Sequence, residues 1–358
     1  MKKMDVAILG LGGMGGTHVE AAKESPHVGT IYGYEPEPER REARSRELGI
    51  RAATLEEIWR NPAIELVTIA STNETHVPLA IAALRSGKAV MCEKPMGTSL
   101  AEATELMDVA ESTKGFLQIG FELRYSALYQ QTKAWIDQGL IGEVVNIQCR
   151  YYCCEFHQKD TWRSNSTGSF LIGEKLSHYL DLQRWWFGSS PESVYSVSAP
   201  KVVPYFHHRD NHQMIMKFPQ GKVGTLNFIM YIAETLHHDP LLEMLEKQSD
   251  DGHYLQYHIC GTKGAIENDV FKRRVRRWEF SDSPSCQESR IAETIKFTPG
   301  QDLVSFHNTH GQNLRIAELV ATGCRPEVSA RDAFETMRLC FAAERSENEN
   351  RVVFLKEL

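Results

Sequence analysis

Polar and charged side chains interrupt an otherwise apolar segment at residues 173–188, GEKLSHYLDLQRWWFG. If this segment is a helix, each residue advances about 100° around its axis, so that Glu174, His178 and Asp181 lie on one narrow stripe. An imidazole with an unperturbed pKa of about 6.5 can accept a proton near neutral pH, and a carboxylate one turn earlier can orient it. The stripe therefore suits acid–base chemistry, and a solvated outer face of the helix is the alternative.

A glycine-rich turn, AILGLGGMGGTH at residues 7–18, follows the first apolar run of the chain. It contains G-x-G-x-x-G as Gly10, Gly12 and Gly15, directly after a predicted strand and at the start of a predicted helix. Glycines in this context permit a tight turn and let the backbone approach a pyrophosphate at the helix N-terminus. We therefore expect a dinucleotide site at this turn.

An acidic residue at the end of the second strand, about 20 positions after the last glycine, completes this kind of site. Glu35 lies there, in YGYEPEPER. Its carboxylate can accept hydrogen bonds from both ribose hydroxyls of adenosine, and it would repel a 2′-phosphate by about 4 kcal/mol at about 4 Å and an effective dielectric near 20. NAD is the predicted cofactor; Arg40 and Arg41 follow closely and soften the preference over NADP.

The elements that must position these residues differ between the two parts of the chain. The first third holds five continuous apolar runs, separated by stretches long enough for helices: DVAIL (5–9), TIYGY (30–34), ELVTIA (65–70), KAVMC (88–92) and FLQIG (116–120). Strands buried on both faces belong to a parallel sheet covered by helices. We predict a doubly wound Rossmann domain over residues 1–122.

Beyond a predicted helix at 125–138 the pattern changes to strands with turn residues between them. They are EVVNIQCRYYCC (143–154), SVYSVSA (193–199), HQMIMKF (212–218), KVGTLNFIMYI (222–232), YLQYHICG (254–261) and RRVRRWEF (273–280). With few helices between them, they predict a large, mainly antiparallel open sheet. Helical patterns return at 301–322 and 330–346. The expected fold class is α/β, with an α+β substrate and oligomerisation domain over residues 123–358.

Composition excludes several classes of partner. A chain of 358 residues, 42% hydrophobic, can bury the cores of two domains, and its net charge of −7 argues against nucleic acid. No apolar run approaches the roughly 20 residues needed to span a membrane, and the N-terminus lacks a signal-peptide pattern, so we expect a cytoplasmic protein. The eight cysteines contain no C-x-x-C pair, and no histidine cluster has a fixed ligand spacing, so no metal is expected.

Residues 71–95, STNETHVPLAIAALRSGKAVMCEKP, complete a larger pattern. With the glycine turn, the TNETH turn after the ELVTIA run and the Glu-Lys-Pro element at residues 93–95, the chain resembles the Gfo/Idh/MocA oxidoreductase family. The resemblance continues through GFELRY (120–125), segment 173–188 and GTKGAI (261–266), so that it covers most of the chain. The predicted cofactor-binding residues are Gly10, Gly12, Gly13, Met14, Gly15, Glu35, Arg40, Ser71, Thr72, Asn73, His76, Glu93 and Lys94.

The resemblance also implies catalytic residues. In this family the lysine of the Glu-Lys-Pro element projects toward the nicotinamide and the substrate, and a helix of the form D-x-x-x-H-x-x-D supplies the substrate site. Lys94, His178 and Asp181 occupy the matching positions. Glu174 stands where most members have aspartate, and its longer side chain leaves the position of the substrate hydroxyl undetermined. Lys175 either adds a second cation or pairs with Glu174.

These residues imply an NAD-dependent oxidoreductase that acts on a secondary hydroxyl of a sugar, polyol or glycoside. Lys94, His178 and Glu174 are the expected catalytic residues: His178 takes the hydroxyl proton, Lys94 stabilises the alkoxide and Glu174 orients His178. The predicted substrate-binding residues are Lys94, Glu122, Arg124, Tyr152, Trp162, Arg163, Lys175, His178 and Asp181. A redox-neutral NAD-dependent glycosidase, an NADP-linked reductase and a non-enzymatic sugar or nucleotide sensor are the alternatives. A homodimer or homotetramer is expected, because relatives cover the open sheet by pairing subunits.

Overall fold

The computed structural model describes residues 3–154, 159, 169–235 and 251–358. The chain forms two compact units, each made of two stretches of sequence. The first unit contains Met1–Glu122 and Asn308–Met337, and the second contains Leu123–His307 and Arg338–Leu358. Residues 308–337, which the expected domain boundary assigns to the second domain, thus pack with the first unit.

A parallel sheet forms the centre of the first unit. Its strands are β1 (Met4–Leu9), β2 (Val28–Tyr34), β3 (Arg51–Ala52), β4 (Ile64–Ile69), β5 (Ala89–Glu93) and β6 (Leu117–Gly120). Among the described residues the strand order is β3-β2-β1-β4-β5-β6, and every pairing is parallel. The order reverses between β1 and β4, which is where sheets of this kind bind dinucleotides. The predicted doubly wound sheet is confirmed.

The second unit contains a larger, open sheet. Its strands are β7 (Val144–Tyr152), β8 (Ser193–Val197), β9 (Asn211–Lys217), β10 (Val223–Ile229), β11 (Tyr254–Gly261), β12 (Gly264–Asp269), β13 (Arg274–Asp282), β14 (Gln287–Lys296) and β15 (Val353–Phe354). In the described part of the chain they run in the order β14-β13-β12-β11-β7-β10-β9-β8-β15. Only the β7–β10 pairing among these is parallel, so the predicted mainly antiparallel sheet is confirmed.

Helices flank these strands. They are α1 (Gly13–Glu24), α2 (Pro38–Glu47), α3 (Leu55–Arg60), α4 (His76–Arg85), α5 (Leu100–Thr113), α6 (Ala127–Asp137), α7 (Leu176–Phe187), α8 (Asp302–Ser305), α9 (Thr309–Ala321) and α10 (Ala330–Glu349). Over the ranges described, none is long and apolar enough to cross a membrane.

Helix α9 completes the hydrophobic core of the first unit. Its Ile316 and Ala317 are buried in one cluster with Val6 and Ile8 of β1 and Val19 of α1. Such a cluster removes apolar surface from water, which is the main favourable contribution to folding. The first unit therefore needs the late segment 308–337 to bury the face of α1.

Candidate active site

The glycine turn after β1 has the geometry that a dinucleotide requires. Gly10 has φ +91°, and a Cβ there would lie 2.7 Å from the carbonyl oxygen of Ala70. A Cβ at Gly15 would lie 1.9 Å from the carbonyl oxygen of Gly10, so neither position accepts a larger residue. Gly12 and Gly13 instead border open space at the N-terminus of α1, with no atom within 4 Å of a built Cβ. Backbone N–H groups and the helix dipole favour a pyrophosphate in that space.

Glu35 lies at the end of β2, where the sequence predicts the ribose-binding acid. It is buried, and its Oε1 accepts a hydrogen bond from the backbone N–H of Leu11 at 2.5 Å. Its Oε2 lies 3.3 Å from Nε of Arg40, whose side chain is half exposed. A carboxylate has about four lone-pair positions, so these contacts leave capacity for two ribose hydroxyls. The residues present therefore fit NAD.

The turn after β4 is joined to the turn after β5 by His76. Its Nδ1 lies 3.0 Å from the carbonyl oxygen of Pro95 and its Nε2 lies 3.2 Å from that of Ser71. Burial lowers the pKa of His76. Asn73 is buried beside it in a short 3₁₀ helix, while Thr72 is exposed. In the described contacts His76 holds two turns together.

Lys94 follows directly on β5. Glu93 and Pro95 are both buried, while Lys94 between them is partly exposed. The Lys94–Pro95 peptide bond is cis. Because both of its neighbours are buried, the backbone at Lys94 is held in place better than the backbone of a lysine on a surface loop.

The segment that carries His178 is not one continuous α-helix. Residues Phe170–Glu174 form a π-helical turn, and Lys175 has φ −146° and ψ −54°, so that α7 begins only at Leu176. The prediction of a helix from residue 173 is therefore wrong at its start. Because the break separates Glu174 from His178, the i, i+4 argument for Glu174 does not apply. The side chain of Glu174 lies outside the described residues.

Helix α7 is buried almost throughout. Eleven of its twelve residues are buried, and Trp185 is the exception. The side chains of His178 and Asp181 are thus inside the protein, which excludes the solvated outer face. The imidazole of His178 meets that of His307 edge to face, with ring centroids 6.5 Å apart. A buried histidine on a rigid helix is a suitable acid–base group.

Asp181 and Arg124 form a buried, two-pronged ion pair. Nε and Nη2 of Arg124 each donate to one carboxylate oxygen of Asp181 at 2.7 Å. The guanidinium also lies 5.7 Å from the ring centre of Trp185. Arg124 belongs to a 3₁₀ turn, Glu122–Tyr125, so the pair fixes α7 to that turn. Both residues were expected to bind substrate, and the structure brings them together with each other.

Lys175 lies over an aromatic ring that was not among the predicted site residues. Its Nζ is 4.8 Å from the ring centre of Tyr151, which is fully buried and packs edge to face on Tyr179 of α7. Burial raises the pKa of Tyr151 well above its usual value. Tyr152, the expected substrate residue, faces the other side of β7 and stacks on Tyr254, 5.7 Å away. Strand alternation brings Tyr151, not Tyr152, to α7.

The remaining expected site residues differ in their exposure to solvent. Glu122 is buried at the start of its 3₁₀ turn, and Met14 is exposed at the start of α1. Trp162 and Arg163 lie outside the described residues. Within the described ranges no cluster of three potential metal ligands occurs.

A parallel sheet, a glycine turn opening a helix and an acidic residue after β2 define an NAD-binding oxidoreductase fold. Two family models match the chain: the oxidoreductase family's NAD-binding Rossmann fold over residues 4–121, and its C-terminal alpha/beta domain over residues 133–355. The chain belongs to the Gfo/Idh/MocA family. The family resemblance expected from the sequence and the NAD-binding Rossmann domain are thereby confirmed.

Curated relatives are similar over part of their length. An uncharacterized oxidoreductase, YdgJ from Escherichia coli, is 28% identical over 68% of this chain and 69% of its own. An inositol 2-dehydrogenase/D-chiro-inositol 3-dehydrogenase from Lactiplantibacillus plantarum is 29% identical over 62% of this chain and 63% of its own. A putative oxidoreductase, YteT from Bacillus subtilis, is matched over only 35% of its length. The matches thus span about a third to two thirds of these proteins.

Solved structures agree over the whole fold. A levoglucosan dehydrogenase, solved in complex with NADH and levoglucosan, covers 99% of this chain and 100% of its own with a TM-score of 0.80 and 20% identity. A myo-inositol dehydrogenase from Sinorhizobium meliloti, described as putative, covers 99% of this chain and 100% of its own with a TM-score of 0.78 and 21% identity. At these identities the likeness shows the fold alone.

Proposed function

We propose that the protein is an NAD-dependent dehydrogenase that oxidises a secondary hydroxyl of a sugar, polyol or glycoside. The observation that carries this proposal is the buried His178 on α7, in a chain that belongs to a family of NAD-binding oxidoreductases. A sensor has no need of an acid–base group held inside the protein. The inositol dehydrogenase among the curated relatives supports a polyhydroxylated substrate.

The proposed chemistry assigns one task to each residue. When bound, NAD supplies the acceptor for the hydride of the carbinol carbon. The imidazole of His178 takes the hydroxyl proton, and the ammonium of Lys94 stabilises the charge that develops on the oxygen. Arg124 holds Asp181 and thereby α7, so that His178 keeps its position. Glu174 is kept as a candidate orienting carboxylate.

Two features are proposed to bind the cofactor: the glycine turn after β1 and the carboxylate after β2. The backbone at Gly12 and Gly13 would hold the pyrophosphate, and Glu35 would accept the adenosine ribose hydroxyls. When the ribose binds, the side chain of Arg40 must either move away from Glu35 or remain at the edge of the ribose site. NAD is preferred over NADP because a 2′-phosphate would meet a buried carboxylate.

Substrate contacts are proposed for the residues beside α7. The ammonium of Lys175 over the Tyr151 ring offers a cation that a substrate hydroxyl can bind. The segment with Trp162 and Arg163 comes directly before this region in the sequence and is retained as a candidate for substrate contact. Aromatic faces stack on sugar rings.

The experiment that tests the proposal is a substrate panel. Purified protein is incubated with NAD and a series of inositols, sugars and glycosides, while NADH absorbance and product mass are both followed. NADH formation with an oxidised product supports the proposal. Released aglycone without NADH accumulation would identify a redox-neutral glycosidase, turnover only with NADP would identify the reductase, and binding without turnover would identify a sensor.

Self-association is proposed for the second unit. The exposed side chains Tyr195 and Ile215 lie opposite each other on β8 and β9, and Ile291 is exposed on β14. These apolar side chains lie on a large sheet, and pairing of two such sheets would remove them from water. We propose a homodimer or homotetramer.

A further inference from the structure

His18 occupies an unusual position for an imidazole in a nucleotide-binding helix. It lies in α1, three residues after Gly15 of the glycine turn, and its side chain is fully buried. Its Nε2 is 3.0 Å from Oε1 of Glu93, and its Nδ1 is 2.9 Å from Oδ1 of Asn313 on α9. One imidazole thus joins the start of α1, the end of β5 and the start of α9.

The orientation of the Asn313 amide fixes one proton of this contact. Its Nδ2 donates to the carbonyl oxygen of Thr309 at 2.8 Å, so its Oδ1 is the atom that faces His18. Nδ1 of His18 must therefore carry a proton, while Nε2 faces a carboxyl oxygen of Glu93. The His18–Glu93 contact thus joins an imidazole nitrogen to a buried carboxyl oxygen at 3.0 Å.

The carboxyl group of Glu93 is also confined from the opposite side. A Cβ built on Gly120 of β6 would lie 2.9 Å from Oε2 and 3.1 Å from Oε1 of Glu93. Only glycine leaves this carboxyl its place against the β6 backbone. Glu93 is thus held between the backbone of Gly120 and the imidazole of His18.

The residue after Lys94 is held by a second histidine. His76 lies 3.0 Å from the carbonyl oxygen of Pro95 and is itself buried. Glu93 and Pro95 are therefore each fixed by an imidazole, and the partly exposed Lys94 lies between them. A misplacement of about 1 Å at a catalytic group can cost about 100-fold in rate, so such fixation bears on activity.

We propose that His18 is a positioning residue: through its buried hydrogen bond to Glu93 it fixes the backbone from which Lys94 acts on the substrate oxygen. Asn313 orients the imidazole and Gly120 confines the carboxyl. The inference rests on the proposed function, because it assumes the role given to Lys94. It adds a residue of the glycine-loop helix to the set that determines turnover.

The test compares His18→Leu and Glu93→Gln with a matched control. His310→Leu is the control, because His310 also links α9 to α1, through an exposed contact with Glu24 at 3.0 Å. For both test variants we expect kcat to fall about 10- to 100-fold, with KM within about 3-fold of the wild type. His18→Leu changes no predicted cofactor-binding residue and should also keep the NADH dissociation constant within about 3-fold. The control should keep all three constants.

Further variants separate positioning from a purely structural role. Because His18 acts through Glu93, the double variant His18→Leu/Glu93→Gln should have a kcat no lower than that of the less active single variant. His18→Gln, which can still donate to Glu93, should recover part of the loss in His18→Leu. A purely structural role would instead lower the melting temperature and leave kcat per folded molecule unchanged, which would overturn the proposal.

Lys94→Ala distinguishes a failure of the His18 inference from a failure of the role proposed for Lys94. If Lys94→Ala is inactive while folded His18→Leu and Glu93→Gln turn over at the wild-type rate, the inference fails and the proposed function stands. If Lys94→Ala is fully active, the role proposed for Lys94 fails, and the inference fails with it, while the dehydrogenase activity stands. A wild-type protein that turns over nothing in the substrate panel would instead refute the proposed function itself. If His18→Leu does not fold, Glu93→Gln decides alone, because it keeps the shape of the side chain and the His18–Asn313 contact.

Discussion

At the scale of single residues, burial separates the acid–base candidate from the more exposed histidine that serves as its control. His178 is surrounded by protein on α7, whereas His310 is partly exposed on α9. We expect His178→Ala to slow turnover by about 10²- to 10⁴-fold while NADH binding stays nearly unchanged, because a positioned acid–base group contributes about that much. Steady-state kinetics and NADH fluorescence titration provide the measurement. His310→Ala, as the control, should turn over normally, and equal rates in both variants would contradict the role of His178.

The cofactor preference depends on one carboxylate. Glu35→Ala should narrow the difference in affinity between NAD and NADP, because the repulsion of a 2′-phosphate is removed. It should also weaken NAD binding, since the backbone N–H of Leu11 loses its acceptor. Glu37→Ala removes the same charge from an exposed neighbour and should change neither affinity. Binding titrations with both dinucleotides measure the outcome; an unmodified protein that prefers NADP would refute the assignment.

His208 makes stability depend on pH. Burial, with a smaller contribution from His212, lowers the pKa of His208 to about 4. Below about pH 6.5 the unfolded chain binds a proton that the folded chain does not, so stability falls as the pH drops toward 4. In His208→Gln the loss of stability between about pH 7 and about pH 5 should be smaller than in the wild type. Urea midpoints at the two pH values measure this; an undiminished loss would exclude His208 as its source.

At the scale of secondary structure elements, the buried pair of Arg124 and Asp181 fixes α7. Removing one partner leaves an uncompensated buried charge, so Arg124→Met should cost about 3–5 kcal/mol of unfolding free energy. The double variant with Asp181→Leu should cost less than the sum of the two single changes. Chemical denaturation measures both.

An exposed pair of the same geometry provides the control for this prediction. Arg331 contacts Glu111 through two hydrogen bonds of 2.9 and 2.8 Å, with both side chains about half exposed. Arg331→Met should cost under about 1 kcal/mol, because exposed ion pairs contribute little. Equal costs for Arg124→Met and Arg331→Met would mean that the buried pair does not hold α7.

In the first sheet, strands were predictable where burial on both faces gives a continuous apolar run of residues. The central strands of the first sheet are buried on both faces and read as continuous apolar runs, so their positions were predicted within a few residues. β14 was missed because its residues are nearly all exposed and show no apolar alternation. β3 and β15 have two residues each, which is too short for any pattern.

The candidate site was predictable only in its residue types. Periodicity placed His178 and Asp181 on one helix, yet it could not reveal the π-helical turn before α7, which depends on packing. The contact of Asp181 with Arg124 joins residues 57 positions apart, and the contact of His18 with Glu93 joins residues 75 apart. Contacts of this kind follow from the fold, so a single sequence contains no local pattern for them.

At the scale of the whole molecule, the exposed apolar side chains on the second sheet predict self-association. Light scattering at micromolar concentration should report a multiple of the 40.6 kDa chain. Ile215→Asp should shift the protein toward the monomer, since it places a charge among apolar side chains on the sheet. Leu303→Asp, at a comparably exposed position on α8, should not. A wild-type protein that is monomeric under these conditions would exclude the proposed dimer.

The division of the first unit into two sequence segments has a consequence for the order of events during translation. Residues 3–122 leave the ribosome before residues 308–337, but the core of their unit also needs Ile316 and Ala317, and His18 needs Asn313. The first unit therefore cannot be completed until the chain has been synthesised past α9. Until then the apolar face of α1 lacks its native cover, and a nascent chain with such a face is a target for chaperones. A chain truncated before α9 would lack both the complete core of this unit and the contact of Asn313 with His18, which holds the imidazole against Glu93.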